Sequence, residues 1–437
     1  MIKDLTLHNR DQQVIQAINE NNAELDAPAR RKKFAAMAES PYRFFRGTSH
    51  LFWQDMYNDW RFALFGGVAG TQTWIQGDAH VYNFGAFANH DGEVIYGLDD
   101  FDDAVVSDYQ YDLWRLAVSL VLDTRANGNF DDSTCAKALD ALVKGYLKTA
   151  TDYSKGDLER EVHYTADTVG KPLRKFLQKV GRKKSRERML EKWTHLQKNG
   201  KRAFDASSPK LKRLSPVARK QFVASFEAYR EKRQQGGEHD FYRIKDVVRR
   251  ISAGTGSLGT MRFYALIEGE DGSQNDDIIL DIKEQGGPSL LLTMSGSELD
   301  AYRRVYPNEG VRHEAAFRAL AEHPDQYLGW LEYEDQVFSV RERSPFKDDF
   351  PTDKLDKKKH FLNMAGTWGE VLATEHKRAS RTLNPDQPFM FEESLKNLTN
   401  DRESEFVTLV SAIATHYAEC VERDFQTFLG TFEPSTN

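Results

Sequence analysis

The sequence predicts an α+β protein in which two helical regions, about residues 1–239 and 346–437, flank a β-rich segment at about 240–345. Three observations predict it. Apolar residues recur at helical spacing through the first seventy residues: Val14, Ile15 and Ile18, then Phe34, Met37 and Ala38, then Leu51, Phe52 and Met56. Between residues 242 and 343 the pattern changes to short strand-like runs. Helical spacing then returns over 361–376 and 406–428, where Leu409, Val410, Ile413, Tyr417 and Val421 share one face.

Composition bounds the rest. The 437 residues are 40% hydrophobic and 12% aromatic, enough for a substantial core, and the length suggests roughly three domain-sized units. A net charge of −7 argues against a globally basic nucleic-acid binder, so no nucleic acid is expected as partner. Cys135 and Cys420 are too few for a disulfide framework or a cysteine-rich zinc site. No stretch approaches the ~20 apolar residues that span a bilayer, and no apolar run follows Met1-Ile2-Lys3-Asp4. The expectation is a cytoplasmic protein with no membrane span. Nothing in the sequence fixes its oligomeric state.

In chain order, Thr73-Trp74-Ile75-Gln76 reads as a short strand ending at Gly77-Asp78. Val94-Ile95-Tyr96-Gly97-Leu98 reads as a second, ending in Asp99-Asp100-Phe101-Asp102-Asp103. A helix from about Asp112 carries Leu113, Leu116, Ala117, Leu120 and Val121. Another starts near Asp132-Ser133, a good N-cap pair, and carries Leu139, Leu142, Val143, Tyr146 and Leu147. Residues of about 150–235 read as a helical insertion that shapes an acceptor site. Within it, 171–198 holds eleven Lys and Arg against Glu187 and Glu191, which reads as a solvated helical surface or, alternatively, as a face for a phosphate-rich partner. The β-rich segment shows runs at 244–251, 260–267 and 278–282, a helix at 309–322, and runs at 327–333 and 337–340. Trp53, Trp60 and Trp114 read as core.

Two groups of residues suggest chemistry. In Gln76-Gly77-Asp78-Ala79-His80-Val81-Tyr82-Asn83-Phe84, an Asp at a strand end is followed five residues later by an Asn. That pattern suits phosphoryl transfer, with Asp78 accepting the proton of an attacking hydroxyl and Asn83 holding a metal on the phosphates. Asp100, across a hairpin from Asn83, is placed to supply a second hard oxygen to Mg²⁺. The alternative is that both are merely acidic turns. The second group is Gly254-Thr255-Gly256-Ser257-Leu258-Gly259, a glycine-rich segment between two strand runs. It reads as a tight hairpin, or as a hairpin over nucleotide phosphates that offers Gly254, Gly256, Ser257 and Gly259. The latter needs a lysine on the next strand, and Leu280-Asp281-Ile282-Lys283-Glu284 supplies Lys283. A lysine there is costly to bury without an anionic partner. Glu314 on the following helix, with Glu309 as the lesser candidate, would orient it. Arg46 reads equally as a phosphate or acidic-substrate contact and as a structural partner of Asp112 or Asp103.

Gly77-Asp78-Ala79-His80-Val81-Tyr82-Asn83 resembles the catalytic loop Gly-Asp-x-His-x-x-Asn of the aminoglycoside-phosphotransferase branch of the protein-kinase-like fold. Asp100-Phe101-Asp102-Asp103-Ala104 resembles its metal-binding segment. Tyr111-Asp112-Leu113 resembles its Tyr-Asp-Leu, whose Asp braces the catalytic loop through backbone amides. Along most of its length the chain also resembles the uncharacterised bacterial family called domain of unknown function 2252, through Phe44-Phe45-Arg46-Gly47-Thr48, the two acidic motifs, the glycine-rich segment and Leu280-Asp281-Ile282-Lys283-Glu284. The kinase resemblance implies a two-lobed fold, ATP and Mg²⁺ as cofactors, and a loop-bracing role for His80. In kinases the glycine-rich hairpin and lysine precede the catalytic loop, whereas here they follow it by about 170 residues. The resemblance therefore implies a circularly permuted fold, with the small lobe at about 240–345 and its linker near Arg343-Ser344-Pro345. The helix carrying Trp368 and His376 would dock beside the catalytic loop.

The activity so implied is an ATP-dependent phosphotransferase acting on a hydroxyl of a small molecule or a protein, with adenylyl transfer as a variant. A metal-dependent phosphoesterase is a second reading, from Gly77-Asp78-Ala79-His80 and Asn89-His90-Asp91, although no later Gly-His-x-His completes a two-metal set. A third is a non-catalytic, nucleotide-binding pseudokinase-like module.

Overall fold

The computed structural model describes residues 10–89, 92–154, 162–233, 242–251, 260–269 and 272–432. It is a mixed α/β structure in which a helical body meets an antiparallel sheet.

The body is centred on helix Gln110–Asn127, in which every residue from Gln110 to Thr124 is buried. Apolar side chains of the core pack around it, as a central helix requires. It ends at Gly128, whose φ of +64° supplies the left-handed C-cap. Helix Asp132–Tyr153 lies along helix Lys358–Leu383 with backbones nearly touching, since a Cβ on Gly369 would sit 2.0 Å from the Leu142 carbonyl oxygen. Its N-cap is Asp131, which accepts from the Thr134 N–H at 2.8 Å, rather than the Asp132-Ser133 pair. Helix Glu403–Thr431 closes the body against the first helices, where Arg10 bridges Asp55 and Asp424.

Two small sheets sit on this body. Strand Gln72–Ile75 pairs antiparallel with Val105–Asp108, and hairpin Phe84–Ala88/Val94–Leu98 pairs Phe84 with Leu98. After the expected linker at 343–345, Asp348–Asp349 adds to the hairpin's outer edge.

The large sheet has six strands in the order Gly329–Tyr333, Gln336–Glu342, Ile278–Glu284, Arg262–Ile267, Ile244–Arg250 and Leu211–Arg213, all antiparallel. The expected run of three strands, a helix and two strands is present, with the helix at Glu309–Leu320 preceded by Gly296–Val305. Strand alternation divides the sheet into two faces. One carries Phe263, Ala265, Leu280, Ile282, Phe338 and Val340 under helix Pro216–Arg233, which contributes Phe222, Phe226 and Tyr229. The other packs Tyr264, Leu266 and Ile279 against Leu190, Trp193 and Phe204. At its other end that face bears Arg262, Asp281, Lys283 and Arg341, which are paired with one another by register or ion pairs.

Three expectations change. The stretch 150–235 is not wholly helical, because strands Thr194–Leu196, Arg202–Phe204 and Leu211–Arg213 lie within it. From Arg186 onward it packs on the large sheet rather than on the body, so the β-rich unit starts well upstream of residue 240. Trp60 is 73% exposed, whereas Trp53 and Trp114 are core. In the basic stretch, helix Leu173–Lys183 turns Leu173, Leu177 and Val180 inward and leaves its basic residues in solvent. Lys184 and Arg186 pair with Asp348 and Glu342. Among the described residues no helix is long and apolar enough to cross a membrane.

Candidate functional site

The site is built on a loop that leaves the strand Gln72–Ile75. Gly77 has φ +80°, and a Cβ there would lie 2.0 Å from the Asp103 carbonyl oxygen, so the turn requires glycine. Asp112, at the start of the central helix, accepts from the Gln76 N–H at 2.6 Å and the Gly77 N–H at 2.9 Å. His376 Nε2 lies 3.2 Å from Asp112 Oδ2, and its Nδ1 lies 2.8 Å from the Tyr146 hydroxyl. Thr73 donates to the His376 carbonyl at 2.8 Å. Helix Lys358–Leu383 thus docks beside the loop through His376, and Asp112 ties down the loop backbone.

Asp78 stands above this floor with its side chain 22% exposed. Arg115, one helical turn after Asp112, donates to Asp78 Oδ1 from Nε at 2.7 Å and again from a terminal nitrogen. The guanidinium is fully buried, 4.2 Å from the Phe45 ring centroid and 5.0 Å from that of Phe52. Burial raises the Asp78 carboxyl to about 6 against the opposing pull of Arg115. Among the described residues Oδ2 is held by no hydrogen bond, with His80 Nε2 3.9 Å away. Burial, with Arg46 and Arg115, pushes the His80 imidazole well below its usual range, so it is neutral. Asn83 donates from Nδ2 to the Asp78 carbonyl at 2.9 Å, and its own carbonyl accepts from the Asp99 N–H at 3.1 Å. Asn83 and the acidic hairpin end are therefore neighbours.

At that hairpin end four carboxylates follow one another, each in a different setting. Asp99 pairs with Lys347 at 3.0 Å, and Asp103 accepts from the Ser289 N–H at 2.6 Å. Asp102 pairs directly with Lys283 from the large sheet and accepts from Gln285 at 3.1 Å. The half-buried Asp100 makes no side-chain hydrogen bond or ion pair among the described residues. Burial and the Asp102 charge push its carboxyl up, against Lys283, Lys347 and Arg341. For Asp102, Lys283 and its hydrogen bonds outweigh burial and hold the carboxyl well below its usual range. Lys283 is raised in turn, because Asp102 and Asp100 outweigh its burial. Arg341 donates to the Asp99 carbonyl at 3.0 Å, and the fully buried Arg312 donates to the carbonyls of Phe101, Ala104 and Gly286. These contacts fix the sheet to the acidic segment. Beside Asp99 lies a cavity of about 570 Å³, lined in part by Leu98, Asp281, Phe317, Arg341 and Lys347.

Asp78, Asn83, Asp100 and Lys283 thus converge on the junction of body and sheet. Glu314 does not join them. It pairs with Arg233 at 2.5 Å and Arg318 at 2.9 Å, while Glu309 pairs with Arg312 and Tyr302. The side chain of that helix facing Asp102 is His313, 3.7 Å away and made neutral by burial. Gly254, Gly256, Ser257 and Gly259 lie outside the described residues, as do His90 and Asp91. The strands on either side of the glycine-rich segment pair antiparallel. Arg46 pairs with neither Asp112 nor Asp103. Sequence reasoning missed Arg115, Arg312 and Asp102 as a lysine partner. An arginine between Trp114 and Leu116, within a run of apolar residues on a buried helix, signals a buried ion pair.

Asn83 and Asp100 offer two hard oxygens of the kind a divalent cation such as Mg²⁺ accepts. Asp100 is an uncommitted carboxylate that a cation would keep ionised, and the Asn83 amide oxygen accepts no hydrogen bond among the described residues. Mg²⁺ asks for only one or two protein oxygens when phosphate and water supply the rest. Among the described residues no group of three or more His, Cys, Asp or Glu side chains could hold a metal by itself.

Neither a curated protein nor a solved structure is significantly similar to the chain. Residues 26–431 match the model of the family described as "Uncharacterized protein conserved in bacteria (DUF2252)", and the chain belongs to that family.

Proposed function

We propose that the protein is an ATP- and Mg²⁺-dependent phosphotransferase of a circularly permuted, protein-kinase-like fold, acting on a hydroxyl of a small molecule or a protein. The observation that carries the reading is the meeting of Lys283 with the acidic segment. An ammonium from the sheet and carboxylates from the hairpin end, 181 residues apart in the chain, come into contact next to Asn83 and Asp78. The run of three strands, a helix and two strands, and the docking of His376 under the loop, support it as well.

In this reading the acceptor oxygen attacks the γ-phosphorus, its proton passes to Asp78 Oδ2, and the bond to the β–γ bridging oxygen breaks, releasing ADP. A carboxyl at about 6 is ionised at neutral pH yet basic enough to take that proton. Arg115 holds Oδ1 and so aims Oδ2. Asn83 and Asp100 would hold Mg²⁺, which when bound neutralises charge on the β- and γ-phosphates. Lys283 would share its donors between Asp102 and the phosphates, and the glycine-rich segment would cover them. The cavity beside Asp99, reached from the same sheet face as Lys283, has the volume a nucleoside needs.

The test is single-turnover incubation with γ-labelled ATP and Mg²⁺. Label should leave ATP with formation of ADP in the wild type and not in Asp78→Asn. Pyrophosphate as product would replace phosphoryl transfer with adenylyl transfer. Equal, background loss from both proteins would reject catalysis.

A further inference from the structure

Helix Pro41–Gly47 lies over the catalytic loop. Tyr42 and Arg46, four residues apart, share the face turned to it. The Tyr42 ring packs edge-on against His80 and Tyr82, with centroids 6.3 and 5.3 Å away. Phe45 of the same helix covers Arg115. Arg46 therefore stands beside Asp78, and its charge acts on Asp78, His80 and Tyr42. Among the described residues the half-buried Arg46 guanidinium makes no hydrogen bond and no ion pair.

Its neighbours are under-used in the same way. The Tyr42 hydroxyl, His80 Nδ1 and a terminal nitrogen of Arg115 are buried polar atoms without a partner among the described residues, and each of the three residues is more than nine-tenths buried. Lys33, from helix Ala27–Met37, feels the charge of Asp103, whose carbonyl lies against the Gly77 turn of the loop, and it too makes no hydrogen bond or ion pair among the described residues. Buried donors are almost always satisfied in a native structure. Several around one reactive carboxylate mark a place where a ligand completes the set. A planar arginine fork selects carboxylate or phosphate oxygens.

We propose that Arg46, supported by Lys33 and the Tyr42 hydroxyl, forms the acceptor subsite, and that the acceptor is an alcohol carrying a phosphate or carboxylate group. This rests on the phosphotransferase reading for the word acceptor, but the anion site itself stands on Arg46 and its neighbours. The anionic group would anchor the substrate on Arg46 while its hydroxyl points at Asp78 Oδ2.

The test is a set of thermal melts of the full chain with glycerol, glycerol 3-phosphate and 3-hydroxybutyrate. Wild type, Arg46→Gln, Lys33→Gln and Lys283→Ala are compared, and circular dichroism of each unliganded variant checks folding. The expected result is stabilisation by at least one anion and not by glycerol. Apparent affinity should fall at least tenfold in Arg46→Gln, fall less in Lys33→Gln, and be retained in Lys283→Ala. An anion effect unchanged in both Arg46→Gln and Lys33→Gln, or no anion effect in the wild type, overturns the proposal. So does an effect lost in Lys283→Ala and kept in Arg46→Gln, which would put the anion at the triphosphate position. Loss of ATP turnover with this pattern intact would reject the phosphotransferase reading and leave the anion site standing.

Discussion

The floor and the open side of the loop at 76–83 use the same residue type for opposite ends. On the floor, Asp112 is buried with both oxygens engaged, by two backbone N–H groups and by His376. On the open side, Asp78 keeps one oxygen on Arg115 and leaves the other uncommitted, and the Asp100 carboxylate is free of hydrogen bonds and ion pairs among the described residues. A carboxylate with both oxygens engaged holds structure. One left half-satisfied in a buried setting is raised in pKa and remains available to bind or to take a proton. The contrast predicts that the two kinds of aspartate fail differently when replaced.

The largest expected effect is on catalysis. Asp78→Asn should lower single-turnover γ-phosphoryl transfer by about 10²–10⁴-fold while leaving the chain folded, because the Asn carbonyl oxygen can still accept from the buried Arg115 guanidinium. A variant that unfolds, or that keeps its rate, would erase the distinction between floor and open side. Asp112→Ala should do the reverse. It strips acceptors from two buried N–H groups and from His376, and should cost about 3–5 kcal/mol in denaturant unfolding.

The pH dependence sharpens the comparison on one residue. With Asp78 at about 6 in the folded chain against an ordinary 3.8, the transfer rate should rise with pH through about 6 and level off above it. The sign for stability is opposite. The folded state holds the proton that the unfolded state has lost, so this group's contribution falls as pH rises from about 4 to 6 and is constant beyond. In Asp78→Asn that fall should be absent from the pH profile of unfolding. The smallest effect belongs to Glu314→Gln. It breaks partly exposed pairs with Arg233 and Arg318 and should cost under about 1 kcal/mol, with the melting shift given by ATP–Mg²⁺ unchanged. Loss of that shift would return Glu314 to the site.

Much of this was readable in the residues. Strand and helix periodicity located the sheet segment to within two or three residues at most ends, because alternating Ile, Leu and Phe runs bounded by polar turns leave little choice of register. Asp78 and Asp100 stood out because each follows a strand run, Asp112 because it opens a helix, and Asn83 because it stands five residues after Asp78. Other features carried no such signal. Leu211–Arg213 is too short for periodicity, so the sheet's sixth strand, and with it the upstream limit of the β-rich unit, could not be seen. On helix Glu309–Leu320 one residue is 100° of rotation, which separates the inward His313 from Glu314 on the Arg233 side. Sequence order points to a carboxylate on that helix as the lysine's partner. The folded chain supplies it from Asp102, two residues past Asp100, and only three-dimensional proximity selects among four consecutive-looking acids. Arg46 remained ambiguous in sequence because its meaning lies in what it does not touch.

The central claim is that the ammonium of Lys283 and the oxygens of Asn83 and Asp100 grip one triphosphate. It is tested most directly by titrating ATP with Mg²⁺ into the wild type, Lys283→Ala and Asp100→Asn and following the unfolding free energy. At a hundredfold excess over the dissociation constant the wild type should gain about 2.7 kcal/mol, and both variants should lose most of that gain at the same concentration. A wild type that ATP–Mg²⁺ does not stabilise, or a gain that survives both substitutions, would contradict the account.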